Sequence, residues 1–162
     1  MAETDRGSGQ IDVVYCWVDG SDPKIVEKRR LIGDQTASEN SSATRYADNG
    51  ELFWSLASVL TFMPFVRRIH IVTDEQVPEA ISKLKVVFDI SDVEKIVVVD
   101  HKEIFRNFLD LLPTFNSRSI ETMLFKIPNL SEKFVYFNDD FFVVRSLREE
   151  DFFVGGKLLV RG

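Results

Sequence analysis

Residues 134–142 read Phe134-Val135-Tyr136-Phe137-Asn138-Asp139-Asp140-Phe141-Phe142. An apolar strand leads directly into an amide and two adjacent carboxylates, and apolar residues follow at once. Carboxylates beside so many aromatic rings are costly to desolvate unless a cation compensates them. Hard oxygen ligands suit Mg²⁺ or Mn²⁺, and such ions are commonly shared with substrate phosphates. This stretch therefore predicts a metal and diphosphate site at the end of a sheet strand, with Asp139 and Asp140 as candidate metal ligands and Asn138 beside them.

Elsewhere in the chain, short runs of β-branched and aromatic residues alternate with helical patterns. The runs predict buried strands at 11–18, 68–73, 95–99 and 133–137. Helices are predicted to begin at Asp22-Pro23, after Asp48-Asn49, at Pro78 and at Ser117, the last one covering 117–127. This alternation predicts an α/β fold with three layers and a mostly parallel, Rossmann-like sheet.

Each predicted strand ends in acidic or amide side chains. Asp19 follows the first strand, Asp74 the second, Asp100 the third and Asn138 to Asp140 the fourth. Because ligands of open α/β sheets bind beyond the carboxyl ends of the strands, we expect Asp19, Asp74 and Asp139 on one rim. For Asp100 a plain capping role is an equally good interpretation.

The two adjacent aspartates are expected to differ in role. The apolar pair Phe141-Phe142 favours a strand that continues, in which neighbouring side chains point to opposite sides. Asp140 would then share a face with Asn138 and is the favoured metal ligand, whereas Asp139 would tie down a neighbouring loop.

Composition narrows the class of protein. The 162 residues, 44% hydrophobic and 28% charged, suit one domain with a sizeable core. Residues 1–10 are expected to be a disordered start or a cloning remnant, and 11–162 to form the domain.

A net charge of −6 argues against nucleic-acid binding. The single cysteine, Cys16, lies in a strand and reads as an inert thiol, and no run is long enough for a membrane span, so a cytoplasmic location is expected.

Several stretches resemble the Stealth family of sugar-1-phosphate transferases. They are Ile11 to Pro23 with its Trp17-Val18-Asp19-Gly20 core, Arg45 to Leu52, Ile69 to Asp74, Leu112 to Ser117 with Ile120-Glu121, and Ile127-Pro128 onward to Asp140. The matches are in the family's order and cover most of residues 11–145.

The resemblance implies transfer of a hexose 1-phosphate from a nucleotide-diphosphate sugar to a saccharide hydroxyl, as in capsule polysaccharide synthesis. It also implies a fold similar to metal-dependent (GT-A-like) nucleotide-sugar transferases and a Mg²⁺ or Mn²⁺ cofactor. By the same resemblance, Asn138, Asp139 and Asp140 are the candidate catalytic residues. The candidate nucleotide-sugar-binding residues are Trp17, Val18, Asp19, Gly20, Arg45, Asp48, Asn49, Thr73 and Asp74.

This chain also departs from the family pattern. Phe53 and Ala57 stand where arginine is frequent, Glu75 stands where glycine is common, and Met123, Phe125 and Lys126 replace histidines and an arginine. Family members continue into later blocks that supply a catalytic histidine, so we expect residues 11–162 to be the amino-terminal part of a longer catalytic unit, with little activity alone. The alternatives are a catalytically incomplete binding module and an ordinary glycosyltransferase.

Two further expectations concern histidines and exposed aromatics. His70 reads as a core residue; His101 is the better candidate base, although an ordinary loop histidine is the favoured interpretation. Phe53, Trp54 and Phe125 exceed what one helix face needs and are expected to form a patch for a downstream domain or a second copy of the chain.

Overall fold

A computed structural model describes residues 10–33 and 50–160 of the chain. Residues 1–9 and 161–162 lie outside these ranges. So do three of the predicted binding residues, Arg45, Asp48 and Asn49.

The centre of the fold is a parallel sheet of four strands. These are β1 (Ile11–Cys16), β2 (Val66–Thr73), β3 (Ile96–Asp100) and β4 (Lys133–Phe137). Their order across the sheet is β3-β2-β1-β4, and each neighbouring pair is parallel. The predicted Rossmann-like α/β class is therefore confirmed, and every predicted strand is present within two residues of its expected ends.

The helices connect the strands at or near the predicted places. They are α1 (Pro23–Leu31), α2 (Glu51–Phe62), α3 (Glu79–Val87), α4 (Ile90–Val93), α5 (His101–Ile104) and α6 (Ser117–Glu121). Short 3-10 turns cover Leu109–Leu111, Leu124–Lys126 and Glu149–Asp151, and a small hairpin pairs β5 (Phe153–Val154) with β6 (Lys157–Leu158). The Asp22 carboxylate caps α1 by accepting from the Lys24 N–H at 2.8 Å, as the Asp-Pro signal predicts.

The prediction of one helix over 117–127 is wrong. The α-helix ends at Glu121, and a separate 3-10 turn follows it. The Thr122 hydroxyl donates to the Ser119 carbonyl at 2.8 Å, a local bond that competes with helix continuation. Pro128 also disfavours helical backbone at Ile127, so the segment breaks into two short pieces.

Two apolar layers cover the two faces of the sheet. Val13 and Tyr15 of β1 pack with α2 and α3 on one face. Val14 and Cys16 pack with α5 and α6 on the other face, as side-chain alternation along a strand requires. The core is thus a three-layer sandwich. None of the helices in residues 10–33 and 50–160 is both long and apolar enough to cross a bilayer.

The three aromatics expected to share a patch do not lie together. Phe53 is half-buried against the α2 layer, next to Trp54, which is 65% exposed. Phe125 is 61% exposed but belongs to the segment that packs on the other layer. The idea of a single aromatic patch is therefore wrong, because the sheet separates its members.

Candidate active site

The chain turns directly after β4, at the Asn138-Asp139-Asp140 stretch. Phe141 N–H donates to the Asn138 carbonyl at 3.1 Å, which closes a turn around the two aspartates. The prediction that the strand continues through Phe141-Phe142 is therefore wrong, and both rings are about half exposed. The reason for assigning opposite directions to Asp139 and Asp140 disappears with it, since a turn lets adjacent carboxylates face one ion.

Polar contacts from α2 hold the far side of this turn. The buried Ser55 hydroxyl bonds the Tyr15 hydroxyl at 2.9 Å and also donates to the Phe141 carbonyl. One turn later the Ser58 hydroxyl accepts from the Val143 N–H at 2.9 Å. These bonds take up the backbone groups that a continuing strand would have used, and so they explain why an apolar sequence leaves the sheet here.

A pocket of about 410 Å³ opens at the carboxyl ends of the strands, hereafter the carboxyl rim. It lies where the sheet order reverses, because the chain runs from β1 to β2 and β3 on one side and returns with β4 on the other. Such switch points are where open α/β sheets bind ligands. We call this cavity the switch-point pocket. Its walls include Cys16, Trp17, Val18, Val72, Asp74, His101, Thr114, Phe115, Ser117, Ile120, Glu121, Tyr136 and Asn138.

Carboxylates shape the electrostatics of the β1–β4 side of this pocket. Burial raises the pKa of the Cys16 thiol to about 12, and the nearby charges of Glu121 and Asp139 add to that shift. Burial likewise raises the pKa of the Tyr136 hydroxyl, with Glu121 and Asp139 again contributing. Cys16 is therefore an unreactive thiol, as predicted; Glu121 lines the pocket, and the charge of Asp139 acts on both Cys16 and Tyr136.

A second pocket, of about 370 Å³, contains the predicted residue Asp19. The Asp19 carboxylate accepts from the N–H and hydroxyl of Ser21 at 2.9 and 2.6 Å, which folds the loop back on itself. Gln76 clamps this loop to the end of β2, because its amide bonds both backbone groups of Asp19 at 3.0 and 3.1 Å. The Gln76 clamp was not predicted, since nothing local in the sequence distinguishes this glutamine.

Between the two pockets, Asp74 and Glu75 form a charged cluster with two lysines. Lys28 Nζ lies 2.8 Å from Asp74 Oδ1 and 2.9 Å from Glu75 Oε2, and Lys102 also contacts Glu75. The lysine partners lower the pKa of the Glu75 carboxyl to about 2. Glu75 adopts left-handed backbone, with φ of 56°, where glycine is the favoured residue. Its N–H donates to Asp100 at 2.8 Å, so Asp100 holds this loop as well as capping α5 through the Lys102 N–H.

Three buried polar atoms at the carboxyl rim have no hydrogen-bond partner among the described residues. They are Trp17 Nε1, Thr73 Oγ1 and His101 Nδ1. Trp17 is only 6% exposed and packs in the α2 layer, so its ring offers little free face for stacking on a base. The interpretation of His101 as a loop residue is wrong: it begins α5, is buried, and lines the switch-point pocket.

The other histidine has a structural role. His70 is fully buried in β2, and its Nε2 lies 3.1 Å from Asp12 Oδ2 at the opposite end of the sheet. The prediction of a core histidine is confirmed.

The predicted metal ligands suit an ion that shares its coordination sphere with a substrate. Within residues 10–33 and 50–160, no three His, Cys, Asp or Glu side chains group closely enough to hold an ion alone. Asp139 is half-buried and Asp140 is exposed, and both supply hard oxygen donors on one turn beside Asn138. Mg²⁺ is commonly bound by one or two carboxylates together with substrate phosphates and water, so this donor set fits it.

The carboxyl rim therefore brings together most of the predicted site residues that the structure describes. Trp17, Val18, Asp74 and Asn138 line the switch-point pocket, Asp139 follows Asn138 directly in the chain, and Asp19 lines the second pocket. Gly20 and Thr73 belong to the same strand ends, and Asp140 completes the turn. Sequence reasoning missed Gln76, Lys28 and the places of Tyr136 and Glu121 in the pocket lining, and for His101 it favoured a loop position over a site role.

Comparison with known proteins identifies two matching regions. Residues 9–36 match Stealth protein CR1, conserved region 1, and residues 45–159 match Stealth protein CR2, conserved region 2.

Similar full-length proteins include a capsular polysaccharide phosphotransferase of Actinobacillus pleuropneumoniae, 43% identical over 88% of this chain and 38% of its own length. Another, from Actinobacillus suis, is 46% identical over 88% of this chain and 37% of its own. An exopolysaccharide phosphotransferase of Streptomyces coelicolor is 41% identical over 89% of this chain and 15% of its own. The chain thus spans well under half the length of these relatives.

Proposed function

Since the chain belongs to the Stealth family, we propose that it is the donor-binding part of a sugar-phosphate transferase of polysaccharide synthesis. The donor is a nucleotide-diphosphate sugar, and the acceptor is a saccharide hydroxyl. The observation that carries this proposal is the switch-point pocket with the Asn138–Asp140 turn at its edge. The names of the relatives, all phosphotransferases of capsular or extracellular polysaccharides, support the reaction class.

The proposed reaction is a substitution at phosphorus. The acceptor oxygen attacks the phosphorus that carries the sugar, and the bond from that phosphorus to the bridging oxygen of the diphosphate breaks. A nucleoside monophosphate leaves with the bonding electrons, and the acceptor proton passes to a base. Catalysis of such a step depends on placement of the acceptor and on stabilising charge at the phosphoryl oxygens.

The acidic character of the carboxyl rim explains why the proposal includes a metal. Lys28 and Lys102 are already paired with Asp74 and Glu75, and no arginine or lysine is among the described residues that line the switch-point pocket. A diphosphate beside Asp139 and Asp140 would be repelled unless a cation lay between them. Asp139 and Asp140 would hold Mg²⁺ or Mn²⁺, with Asn138 orienting a ligand or a phosphate oxygen. When bound, the ion supplies charge neutralisation at the phosphoryl oxygens.

A cytoplasmic location is also part of the proposal. It rests on the cysteine content: Cys16 is the only cysteine of the sequence and is partly buried, so these residues form no internal disulfide and need no oxidising compartment to fold. The proposal further includes a region beyond these residues, or a second subunit, that supplies the missing basic groups. The replacements Phe53 and Ala57, where the family pattern has arginine, motivate that part.

Calorimetry of donor binding tests the proposal on the 162-residue protein. UDP-glucose, UDP-N-acetylglucosamine and GDP-mannose are titrated with and without MnCl₂. We expect at least one donor to bind, and its affinity to fall at least about tenfold without the ion. In Asp140→Asn the dependence on Mn²⁺ should be lost, and in Asp139→Asn it should be at least weakened, because the turn lets both carboxylates reach one ion.

Asp89→Asn is the matched control, because Asp89 is an exposed aspartate that makes no side-chain cap bond at the start of α4. It should bind the donor as the unchanged protein does. Binding that is unchanged in both Asp139→Asn and Asp140→Asn would remove the metal site. Absence of binding by every donor would overturn the proposed function.

Product analysis separates the remaining alternatives. A phosphodiester product with release of a nucleoside monophosphate identifies phosphoryl transfer, whereas a glycoside with release of a nucleoside diphosphate identifies glycosyl transfer. Donor binding without turnover identifies a binding module. For these residues alone that outcome is favoured, because few basic groups lie at the described part of the pocket.

A further inference from the structure

The switch-point pocket contains a histidine with one ring nitrogen that no described residue bonds. His101 is 6% exposed and lines the pocket, yet its buried Nδ1 has no partner among the described residues. A buried polar atom without a partner costs stability, and native proteins keep one where water or a ligand completes it. His70 also has an unpartnered Nδ1, but its Nε2 is engaged by Asp12 and it does not line this pocket, so His101 is the histidine that a ligand in the pocket would reach.

The residues around His101 indicate which kind of chemical group would bind its unpartnered ring nitrogen. Burial lowers the pKa of the imidazole, so the neutral ring carries one donor and one acceptor nitrogen. The carboxylates of Asp74 and Asp100 lie near it, together with the ammonium of Lys28 that is paired with Asp74, and Asp74 also lines the pocket. A phosphate placed against this wall would meet negative charge. A hydroxyl group, which both donates and accepts, would meet matching partners.

The rest of the described lining agrees with that chemistry. It offers small hydroxyl and amide groups, such as Thr114, Ser117 and Asn138, next to the rings of Phe115 and Tyr136. Uncharged hydroxyl-rich groups pack against such mixtures of aromatic faces and hydrogen-bonding side chains.

We propose that His101 binds a hydroxyl group of an uncharged, hydroxyl-rich part of the donor in the switch-point pocket, while the diphosphate lies outside it at the Asn138–Asp140 turn. This inference rests on the proposed function. The hydroxyl-rich part is either the ribose of the nucleotide or the hexose, which share the same chemistry. His101 is a binding residue here, and the acceptor proton is not assigned to it.

Histidine-ring NMR gives a direct test, because the chain has only 2 histidines. In ¹⁵N-labelled protein, long-range ¹H–¹⁵N spectra show the two imidazoles separately, and His101→Phe identifies which signals belong to position 101. A donor that binds by calorimetry should shift the His101 ring signals and leave the His70 signals in place. His70 is thus the internal control, since it is fully buried in the middle of β2 and does not line the pocket.

Fragments distinguish the two sources of the hydroxyl group. Shifts at His101 with uridine or guanosine alone identify the ribose, and shifts with methyl glucoside or methyl mannoside alone identify the hexose. Sodium pyrophosphate alone should leave His101 unmoved. Equal shifts with pyrophosphate and with the intact donor would overturn the inference, because His101 would then belong to the phosphate site.

Affinity supplies the second measurement. His101→Phe keeps an aromatic ring of similar size but removes both nitrogens, and we expect donor affinity to fall about fivefold to tenfold. His101→Gln restores hydrogen-bonding groups and should stay within about threefold of the unchanged protein. Donor binding with unmoved His101 signals and unchanged affinity in His101→Phe would overturn this inference alone. Loss of donor binding by the unchanged protein would instead overturn the proposed function, and this inference with it.

Discussion

The two rims of the parallel sheet treat their acidic side chains in opposite ways. At the amino rim, Asp12 is completely buried but fully paired. Its carboxylate accepts from Arg67 at 2.9 and 2.6 Å, from the Ser131 N–H at 2.8 Å, and lies 3.1 Å from His70 Nε2. These contacts hold the pKa of Asp12 well below its usual range despite the opposing effect of burial.

At the carboxyl rim, several acidic groups gather near the switch-point pocket. Lys28 and Lys102 pair with Asp74 and Glu75, whereas Asp139 and Asp140 share a turn beside a pocket whose described lining has no cation. The comparison teaches that the same residue type serves two purposes on one sheet. The amino rim uses its aspartate to join β1, β2 and the start of β4, whereas under the proposed function the aspartates of the carboxyl rim would hold a ligand.

Removing the amino-rim carboxylate should have the largest effect on stability. Asp12→Ala leaves Arg67 and His70 without their shared acceptor, and we expect a loss of about 3–5 kcal/mol in the free energy of unfolding. Urea unfolding followed by circular dichroism measures it, with Asp89→Asn, expected within about 0.5 kcal/mol, as the control. A loss of under about 1 kcal/mol would show that the Asp12 network contributes little to stability.

Loosening the support of the acidic turn should have the next largest effect. Ser55→Ala leaves the buried Tyr15 hydroxyl and the Phe141 carbonyl without a shared partner, at an expected cost of about 1–3 kcal/mol. It should also weaken Mn²⁺-dependent donor binding, since the turn loses its anchor. Ser82→Ala is the matched control, because Ser82 is likewise a helical serine, but it lies exposed on α3 and its hydroxyl donates to the Glu79 carbonyl of its own helix. Equal effects of the two substitutions on Mn²⁺ dependence would contradict the anchoring role.

Neutralising the carboxyl rim should barely change stability. Asp140 is exposed among other acidic groups, so Asp140→Asn should keep the free energy of unfolding within about 0.5 kcal/mol of that of the unchanged protein. The effect of Mn²⁺ on donor affinity should nevertheless be lost. This pairing of results is the reverse of that for Asp12→Ala at the other rim. A destabilisation above about 2 kcal/mol, with Mn²⁺ dependence retained, would place Asp140 with the structural aspartates.

The smallest expected effect is a pH dependence at Glu75. Its pKa in the folded protein is about 2, below the ordinary value of 4.5. The stabilisation it contributes is therefore fully present above about pH 4.5 and is lost as the pH falls toward 2. Because the ion pairs are largely exposed, Glu75→Gln should cost less than about 1 kcal/mol at pH 7. The difference between the two proteins should shrink toward zero in acid-unfolding curves, and a difference that grows below pH 4 would contradict the assignment.

The strands and the shared rim of their acidic ends were predictable from the sequence because buried parallel strands are continuous apolar runs. The turn at Asp139-Asp140 was not, because Phe141 and Phe142 have strand-like side chains. What removes them from the sheet is the capture of backbone groups by Ser55 and Ser58, which are about 85 residues away in the chain. Such contacts leave no local signal.

His101 shows the same limit at the level of a single side chain. Its neighbours in sequence predicted a strand end, and that was correct. Its burial depends on how α5 packs on the sheet, where Ile104 and Phe105 enter the core, and its environment depends on Asp74 from another strand. The separation of Phe53 from Phe125 was likewise invisible before the two layers were known.

The left-handed backbone of Glu75 has a consequence for how this loop tolerates substitution. A non-glycine residue in that conformation costs roughly 1–2 kcal/mol, and glycine would remove this cost. Glycine would also remove the ion pairs of Glu75 with Lys28 and Lys102. The two effects oppose each other, so the benefit of Glu75→Gly depends on which lysines are present. With Lys28 and Lys102 already replaced, the same change meets no electrostatic penalty. Position 75 is therefore a site of epistasis, where the effect of one substitution is set by the genetic background at two others.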